Sequence, residues 1–330
     1  MKAQRVVCPE PGRVEFEEVT LDPPKAGEIL VETELTLISP GTERAWFTRE
    51  AGAPVRFPYR PGYCHVGRVV AVGEGVTRFR PGDRVLSHSS HASAVIARED
   101  RAYRVPEGVP ARSAVFTVLG AIALQGVRKA RIELGASVGV LGAGLIGLFA
   151  TRFAQLSGAY PLVVADLSAS RRERALRYGA HKALDLGAFL EEARTHEQRA
   201  KPDAGFDAVI DATGHPAAFG TAIKACGFGA TLVLLGSTRG LAEQVDVYAI
   251  HQKGIQVVGA HNRVRPPSQS YPGMWTSRDD CELILRLLRD GVISVDELVT
   301  DEISPDQVPD AFARLVRRDE TMLGTVIKWA

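Results

Sequence analysis

Three glycines at fixed spacing predict a loop that holds phosphate groups. The segment reads Gly142-Ala143-Gly144-Leu145-Ile146-Gly147; it follows the apolar run Val138–Leu141 and precedes a stretch of small residues that suits a helix. In such a turn the first glycine permits the tight bend, the second lets a pyrophosphate approach the backbone, and the third lets helix and strand pack closely. The N–H groups at the start of the helix then attract phosphate. The segment therefore predicts a dinucleotide site.

An acidic residue at the next strand end indicates which dinucleotide is bound. Asp166 ends the apolar run 161–166, 19 residues beyond Gly147. A carboxylate there accepts hydrogen bonds from both adenosine ribose hydroxyls and repels a 2′-phosphate, which favours NAD over NADP. Arg171 and Arg172 follow closely and leave NADP open as the less favoured alternative, since either side chain can turn toward a 2′-phosphate.

The elements that must position these groups follow a regular order between residues 116 and 260. Apolar runs without alternation are separated by segments with helical composition, a pattern typical of a parallel sheet covered on both faces. We expect an α/β fold with a doubly wound parallel sheet here. The predicted strands are 138–141, 161–166, 182–184, 206–211, 231–235 and 255–258, and the predicted helices are 113–129, 145–155, 170–178 and 217–226.

The flanking regions have a different texture. Residues 1 to about 115 show short alternating runs punctuated by Pro, Gly and Asp, which predicts a small β-barrel or sandwich. Beyond residue 260 a polar loop over 261–277 precedes helices near 281–289 and 304–318, and the strand-like run 322–329 follows. We therefore expect three segments: 1–115, 116–260 and 261–330.

Composition excludes several classes of protein. The 330 residues carry 40 Lys and Arg against 39 Asp and Glu, so no basic excess points to nucleic acid. The first residues lack the apolar core of a secretory signal, and no apolar run approaches membrane-spanning length. We expect a cytoplasmic protein with no membrane or nucleic-acid partner.

Cysteine usage predicts neither a disulfide framework nor a structural zinc site. None of the four cysteines, Cys8, Cys64, Cys226 and Cys281, belongs to a C-x-x-C pair. Isolated thiols are typical of a reducing compartment.

Four segments together resemble the medium-chain dehydrogenase/reductase superfamily, which includes the zinc alcohol dehydrogenases. They are Pro40-Gly41-Thr42-Glu43, the run from Pro61 to Val69, the run from Phe79 to Val85, and the glycine loop from Gly142 to Gly147.

The resemblance implies a catalytic domain of GroES-like β-barrel type, formed by both ends of the chain, with a Rossmann domain inserted between them. It also implies an active site in the cleft between the domains, and a homodimer or homotetramer. The residues it places along the nicotinamide half of the cofactor are Thr213, Gly214, Leu235, Gly236, Ala260 and His261. Leu145 and Ile146 of the glycine loop and Arg171 near Asp166 complete the predicted cofactor site.

The zinc ligands of that family are missing from the matching positions. Pro40, with Ser39 beside it, replaces the cysteine ligand; Tyr63 replaces the histidine; and the third ligand falls near Val118. Proline and valine cannot bind a metal, and a neutral phenol rarely does. We expect no metal, although Cys64, His65, His88 and His91 leave an unforeseen site open.

Without zinc, hydrogen-bond donors must stabilise the substrate oxygen. Tyr63 stands at a ligand position, and Thr42 matches the hydroxyl of the family's proton relay. Glu43 matches an acid that orients a neighbour, while His65 and His91 are candidates for proton exchange near neutral pH. For Tyr63 the alternative is a side chain that only fills space, and for each histidine it is an ordinary packed or surface residue.

Substrate class is inferred from the polarity of the segments that the family places near the cleft. Arg44, Arg60, His261, Asn262, Arg263 and Arg265 suit a polar substrate such as a polyol, sugar or hydroxy acid. We expect interconversion of an alcohol and its ketone or aldehyde by hydride transfer. Two alternatives remain: an enoyl- or quinone-type reductase, and a dinucleotide-binding protein without turnover.

Overall fold

Two compact units make up the chain in the computed structural model, which describes residues 1–50, 52–195, 204–243 and 245–329. Unit 1 comprises Met1–Leu119 and Cys281–Ala330, and unit 2 comprises Gly120–Asp280. Both of the chain's passages from one unit to the other lie inside helices, at residues 119–120 and 280–281.

Strands and helices alternate between residues 117 and 259, as the sequence pattern predicts, whereas the part before residue 111 consists mostly of strands. The strands are β1 (Lys2–Val7), β2 (Glu15–Thr20), β3 (Glu28–Ile38), β4 (His65–Val72), β5 (Arg84–Ser87), β6 (Ala94–Arg98), β7 (Ala102–Arg104), β8 (Val138–Leu141), β9 (Leu162–Ala165), β10 (Lys182–Leu184), β11 (Phe206–Asp211), β12 (Cys226–Leu234), β13 (Gln256–Gly259), β14 (Val299–Ile303) and β15 (Gly324–Lys328). The α-helices are α1 (Pro40–Phe47), α2 (Ala111–Ala114), α3 (Thr117–Ala130), α4 (Leu145–Leu156), α5 (Ala169–Arg177), α6 (Leu186–Thr195), α7 (Ala218–Ala225), α8 (Val247–Lys253), α9 (Ser277–Arg289) and α10 (Val308–Val316).

A six-stranded parallel sheet forms the centre of unit 2. Its strand order is β10-β9-β8-β11-β12-β13, and every neighbouring pair is parallel. The chain runs outward from β8 to one edge and then returns to build the other half from β11. This reversal between β8 and β11 is the topological switch point at which doubly wound sheets bind ligands. The predicted α/β fold is confirmed for this unit.

Burial of the strands on both faces explains why their sequences are uniformly apolar. All four residues of β8 and of β9 are buried, and the core beneath them contains Phe189 of α6 and Phe206 of β11. Because both faces of each strand are covered, neither face has to be polar, and the sequence shows no alternation.

A seven-stranded sheet organises unit 1. Its order is β14-β15-β3-β4-β5-β7, and β6 pairs with β3. The long strand β3 pairs with β4 along most of its length, with β6 through residues 28–32 and with β15 through residues 35–38. The C-terminal strand β15 is therefore an internal strand of a sheet made mostly from N-terminal residues. Its partner β14 is parallel to it, whereas the other pairs are antiparallel.

Several elements differ from those expected from the sequence: β12 begins at Cys226, five residues before the expected start at 231, and the helices α6 and α8 were not predicted. The single helix expected over 113–129 is interrupted, because Phe116 N–H bonds Ser113 O, a tighter i−3 turn between α2 and α3. Residues 261–280 group with unit 2, whereas the sequence assigned 261–330 to the other domain. Arg265 explains the grouping, since it donates to Asp280 Oδ2 at 2.6 Å and to Ala121 O at 2.5 Å.

No helix in the described part of the chain has both the length and the apolar character needed to cross a bilayer.

Candidate active site

The glycine loop of unit 2 joins β8 to α4. Gly142 has φ +91°, a left-handed conformation that glycine adopts without strain, and Gly144 caps the helix that begins at Leu145. A Cβ on Gly147 would overlap the carbonyl oxygen of Gly142, whereas a Cβ on Gly144 would meet no atom within 4 Å. The loop is thus tightly packed behind Gly147 and open at Gly144, which fits a bound pyrophosphate.

Asp166 follows β9 directly and binds the same loop. Its Oδ2 accepts the Ala143 N–H at 2.7 Å, and its Oδ1 accepts the Ser168 N–H at 2.9 Å. Each oxygen keeps a second lone pair for a ligand hydroxyl.

The two arginines beside Asp166 differ in their contacts. Arg172 Nη1 donates to the carbonyl oxygens of Asp166 at 2.8 Å and Leu167 at 3.0 Å, so it braces the loop. Arg171 Nε is buried and has no hydrogen-bond partner among the described residues.

The residues expected along the nicotinamide half follow the carboxyl ends of β11, β12 and β13. Thr213 donates from both its N–H, at 2.9 Å, and its hydroxyl, at 2.6 Å, to Asp211 Oδ1. Gly214 has φ +69° and packs so closely against Gly236 that a Cβ on Gly236 would overlap its nitrogen. Because the strands are parallel, this turn lies at the same carboxyl end of the sheet as Gly142 and Asp166.

Leu235, Ala260 and His261 lie at the same carboxyl end of the sheet. Leu235 is buried, and its N–H donates to Asp211 O at 2.9 Å. Ala260 is buried too and accepts from Gln125 Nε2 at 2.7 Å, while the exposed His261 accepts the Arg263 N–H at its Nδ1. Unit 2 therefore brings the predicted cofactor residues together at the carboxyl end of its parallel strands.

A cluster of hydroxyl groups lies at the start of α1 in unit 1. Ser39 is the N-cap residue and Pro40 occupies the first helical turn, where its missing N–H costs nothing. Tyr63, in the loop before β4, donates its hydroxyl to Ser39 Oγ at 2.5 Å. The Tyr63 phenol also contacts the side chain of Thr42.

Burial and nearby charge keep the Tyr63 phenol protonated. Desolvation raises its pKa most, and the neighbouring Cys64 and Glu43 raise it further, whereas the hydrogen bonds that it shares with Ser39 and Thr42 lower it. The net direction is upward from the ordinary phenol pKa of 10.0. Tyr63 can therefore donate a hydrogen bond over the physiological range, but it is a poor base.

Glu43 and His91 form a buried pair next to this cluster. His91 Nε2 lies 2.9 Å from Glu43 Oε2, and Glu43 Oε1 accepts the Ser39 N–H at 2.7 Å. Both side chains are at most 1% exposed. The pair links the start of α1 to the loop before β6.

His65 is placed differently from His91. Its Nε2 lies 3.0 Å from Thr33 Oγ1 and its Nδ1 2.9 Å from Ser87 Oγ, within the β3–β4–β5 sheet. Burial lowers its pKa to about 3, and a smaller electrostatic contribution from the neighbouring His91 acts in the same direction. With both nitrogens bonded and the ring neutral, His65 fits a structural role better than proton exchange.

The residues at the family's zinc-ligand positions do not fit a zinc ion. The hydroxyls of Ser39 and Tyr63 bond each other, and the neutral phenol offers a weak ligand. Burial also raises the pKa of the Cys64 thiol well above its usual 9.0, which disfavours the thiolate that binds metals. In the described residues no three His, Cys, Asp or Glu side chains are grouped to hold a metal ion.

Most arginines expected to line a polar cleft already have acidic partners within their own unit. Arg44 pairs with Glu50, Arg60 with Glu17 at 3.0 Å, and the buried Arg265 with Asp280 at 2.6 Å. These guanidinium groups are neutralised locally and are less suited to bind an anion.

Sequence reasoning gave Ser39 too small a role. The structure shows it at the junction of Tyr63 and Glu43. A serine directly before a proline that opens a helix is an N-cap signal, and this signal would have placed Ser39 beside Glu43.

Two protein-family models match consecutive parts of the chain. The model described as "Alcohol dehydrogenase GroES-like domain" matches residues 25–138, and the one described as "Zinc-binding dehydrogenase" matches residues 146–277. Among curated proteins, a D-guloside 3-dehydrogenase from Escherichia coli (strain K12) is 26% identical over 277 residues, covering 81% of this chain and 77% of that protein.

Solved structures share the fold over nearly the whole chain. An alcohol dehydrogenase from Escherichia coli CFT073 in complex with NADH superposes with a TM-score of 0.83 at 21% identity, covering 99% of each chain. A zinc-binding dehydrogenase from Sinorhizobium meliloti 1021, bound to NADP, superposes with a TM-score of 0.82 at 21% identity and the same coverage.

Proposed function

Because the chain belongs to the medium-chain dehydrogenase/reductase superfamily, we propose that it oxidises an alcohol with NAD, or reduces the product, without zinc. That it is a nicotinamide-dependent oxidoreductase acting on CH–OH groups follows from its relatives. The finer points, which are the choice of NAD, the independence from zinc and the substrate, are the proposal.

The hydrogen bond between Tyr63 and Ser39 carries the proposal. It joins the hydroxyl of Tyr63, which stands at one ligand position of the family, to the hydroxyl of Ser39, which stands beside another, and Thr42 lies in contact with the phenol. The phenol has a single proton, which it can donate to a substrate oxygen once the Ser39 hydroxyl turns to donate to the phenol oxygen in return. That hydrogen bond would stabilise the charge that develops on the substrate oxygen. Bound NAD would supply the hydride acceptor. Thr42, whose hydroxyl both accepts and donates, is the better candidate to receive the substrate proton.

Asp166 supports NAD as the preferred cofactor. Its carboxylate is held at the phosphate loop by the Ala143 N–H, at 2.7 Å, where the adenosine ribose of a dinucleotide binds in such folds. A 2′-phosphate there would face a fixed negative charge. Arg171 is the group through which NADP use would arise, since its buried Nε has no partner among the described residues.

A neutral polyhydroxylated substrate, a polyol or sugar, agrees best with the charges. Arg44, Arg60 and Arg265 are each paired with a carboxylate, which disfavours a hydroxy acid as substrate. The relative named D-guloside 3-dehydrogenase supports the same class of substrate.

A substrate panel tests the proposal. Purified protein is incubated with NAD or NADP and polyols, sugars, hydroxy acids and simple alcohols, and with reduced cofactor and enones, while reduced-cofactor absorbance is followed. We expect turnover of a neutral polyol or sugar with NAD. Activity confined to enones would identify a reductase of the enoyl or quinone type. Cofactor binding without turnover on any compound would identify a non-catalytic binding protein.

Assembly is a separate part of the proposal. β13 is the last strand in the order of the unit 2 sheet, and its Val257 is 41% exposed. An edge strand of this kind can pair with another copy. We propose a homodimer or homotetramer, to be measured by light scattering coupled to size-exclusion chromatography; a monomer at micromolar concentration would contradict this.

A further inference from the structure

Two separate routes lead from Tyr63 to the same buried pair of side chains. The first runs through its hydroxyl: Tyr63 donates to Ser39 Oγ at 2.5 Å, the Ser39 N–H donates to Glu43 Oε1 at 2.7 Å, and Glu43 Oε2 lies 2.9 Å from His91 Nε2. The Glu43 N–H also donates back to Ser39 O at 2.9 Å. Ser39 is thus held at both its N–H and its carbonyl by one residue.

The second route runs through the backbone before Tyr63. Gly62 has φ +98°, and a Cβ added to it would lie 2.7 Å from His91 N and 2.9 Å from His91 Nδ1. The His91 N–H also donates to Pro61 O at 2.9 Å. The imidazole of His91 therefore packs on the residue that precedes Tyr63. The two routes close a ring of contacts that fixes both the backbone and the hydroxyl of Tyr63.

The geometry of His91 does not suit proton transfer. A histidine that relays a proton must pass it on from its second nitrogen, but Nδ1 of His91 is buried and has no hydrogen-bond partner among the described residues. The step from Glu43 to Ser39 passes through a main-chain N–H, which does not exchange its proton in catalysis. An Nε2–H tautomer that donates to Glu43 leaves only a lone pair unpaired at Nδ1. This costs less than burying an unpaired N–H.

We propose that Glu43 and His91 are positioning residues, which hold Ser39 and Gly62 so that the Tyr63 hydroxyl is fixed in one direction, and that neither exchanges a proton with the substrate. The proposal rests on the function proposed for Tyr63. Glu43 also acts at a distance, because its charge, together with Cys64, raises the pKa of the Tyr63 phenol, whereas the hydrogen bonds with Ser39 and Thr42 lower it. The same charge raises the pKa values of the Cys8, Tyr59 and Cys64 side chains around it.

A matched pair of substitutions separates positioning from proton transfer. In His91→Gln the side-chain amide can still donate to Glu43 but cannot titrate, whereas His91→Leu removes the donor. A positioning role predicts that His91→Gln keeps kcat within about threefold of the original protein with an unchanged pH profile. His91→Leu should lower kcat at least about tenfold, the loss of roughly one hydrogen bond to a charged group, with KM for NAD unchanged. His251→Gln, at an exposed position of α8, is the control.

A spectroscopic measurement makes the test independent of turnover. Protein labelled with 13C at tyrosine Cζ gives a Tyr63 resonance, identified by its loss in Tyr63→Phe. We expect this resonance to shift in His91→Leu and Glu43→Gln, and to return toward its original position in His91→Gln. Gly62→Ala should shift it too without removing a polar group, which covers the case that His91→Leu does not fold.

The outcomes distinguish this proposal from the proposed function. Loss of activity in both His91 variants, with the pH dependence near neutrality abolished in His91→Gln, would make His91 the proton partner and overturn the positioning role. An unmoved Tyr63 resonance in His91→Leu, or in Gly62→Ala if the former does not fold, would overturn it as well. If the resonance moves as expected but Tyr63→Phe retains full kcat, the positioning stands and the catalytic role of Tyr63 fails.

Discussion

Asp166 Oδ2 lies 2.7 Å from the backbone nitrogen of Ala143, so the carboxylate that we propose selects the cofactor is bound to the loop that we propose holds its phosphates. Replacing Asp166 with Ser removes the negative charge that opposes a 2′-phosphate. We expect the ratio of kcat/KM for NAD to that for NADP to fall about tenfold or more, as one charged hydrogen bond accounts for.

Asp185→Ser is the control for this change, because Asp185 caps the neighbouring helix α6 through the Ala188 N–H, at 3.0 Å, and lies outside the predicted cofactor site. Its cofactor preference should equal that of the unmodified protein. Equal or better use of NADP by the unmodified protein would contradict the prediction and would indicate that Arg171 binds the 2′-phosphate.

The purified protein should contain no stoichiometric zinc and should retain its activity in chelator. The reason is the donor set: Ser39 and Tyr63 bond each other, and burial opposes ionisation of the Cys64 thiol. Elemental analysis measures the metal content, with a cysteine-ligated zinc alcohol dehydrogenase as the reference. About one zinc per chain, with activity lost on its removal, would show an unforeseen site.

Tyr63→Phe keeps the ring and removes only the hydroxyl that donates to Ser39. Loss of one donor to a developing oxyanion typically lowers turnover by about 10²–10³-fold. We therefore expect a kcat reduced by that order, with NAD affinity and thermal stability nearly unchanged. Tyr160→Phe serves as the control, because Tyr160 is 65% exposed and its ring contact with His181 survives the change. A kcat near that of the unmodified protein in Tyr63→Phe would mean that Tyr63 only fills space.

Gly147→Ala should abolish tight cofactor binding. The added methyl group overlaps the carbonyl oxygen of Gly142, so the phosphate loop must move before the helix can form. Overpacking of this kind costs about 1–3 kcal/mol of folding free energy. Gly187→Ala, in the first turn of α6, meets only Asp185 Oδ1 at 3.4 Å and should bind NAD normally. Calorimetric titration with NAD and thermal melting check both; unchanged NAD affinity in Gly147→Ala would contradict the assignment of the loop.

His65 should make the protein less stable as the pH falls below neutrality. Its pKa is about 3 in the folded chain against 6.5 for an ordinary histidine, so the unfolded chain binds a proton first. Stability then declines from about pH 6.5 toward pH 3, and the contribution is fully present above pH 6.5. Urea unfolding at several pH values measures the slope. His65→Gln, which can bond Thr33 but cannot titrate, should flatten it; an unchanged slope would assign it to other groups.

The parallel sheet of unit 2 could be predicted because its signals are local. Strands β8 and β9 are apolar on both faces, and the glycine loop stands between a strand and a helix, so pattern and motif agree. Unit 1 was harder, since β15 pairs with β3 across nearly the whole chain and no short-range pattern encodes such a partner.

Candidate residues of the unit 1 site could be named from the sequence, but their connections could not. The contact of Tyr63 with Ser39 spans 24 positions and that of His91 with Glu43 spans 48, and loops of irregular backbone set both. His65 and His91 looked equivalent as histidines. Only their partners, hydroxyl groups for one and a carboxylate for the other, separate them.

The internal position of β15 has a consequence for synthesis on the ribosome. Unit 2 is continuous, so residues 120–280 can fold as soon as they emerge. Unit 1 must wait, because Thr325 and Lys328 of β15 pair with Ile38 and Leu35 of a strand made some 290 residues earlier. Until then the part of β3 that pairs with β15 has unpaired backbone groups and can associate with other nascent chains. We therefore expect chaperones to bind at this part of β3.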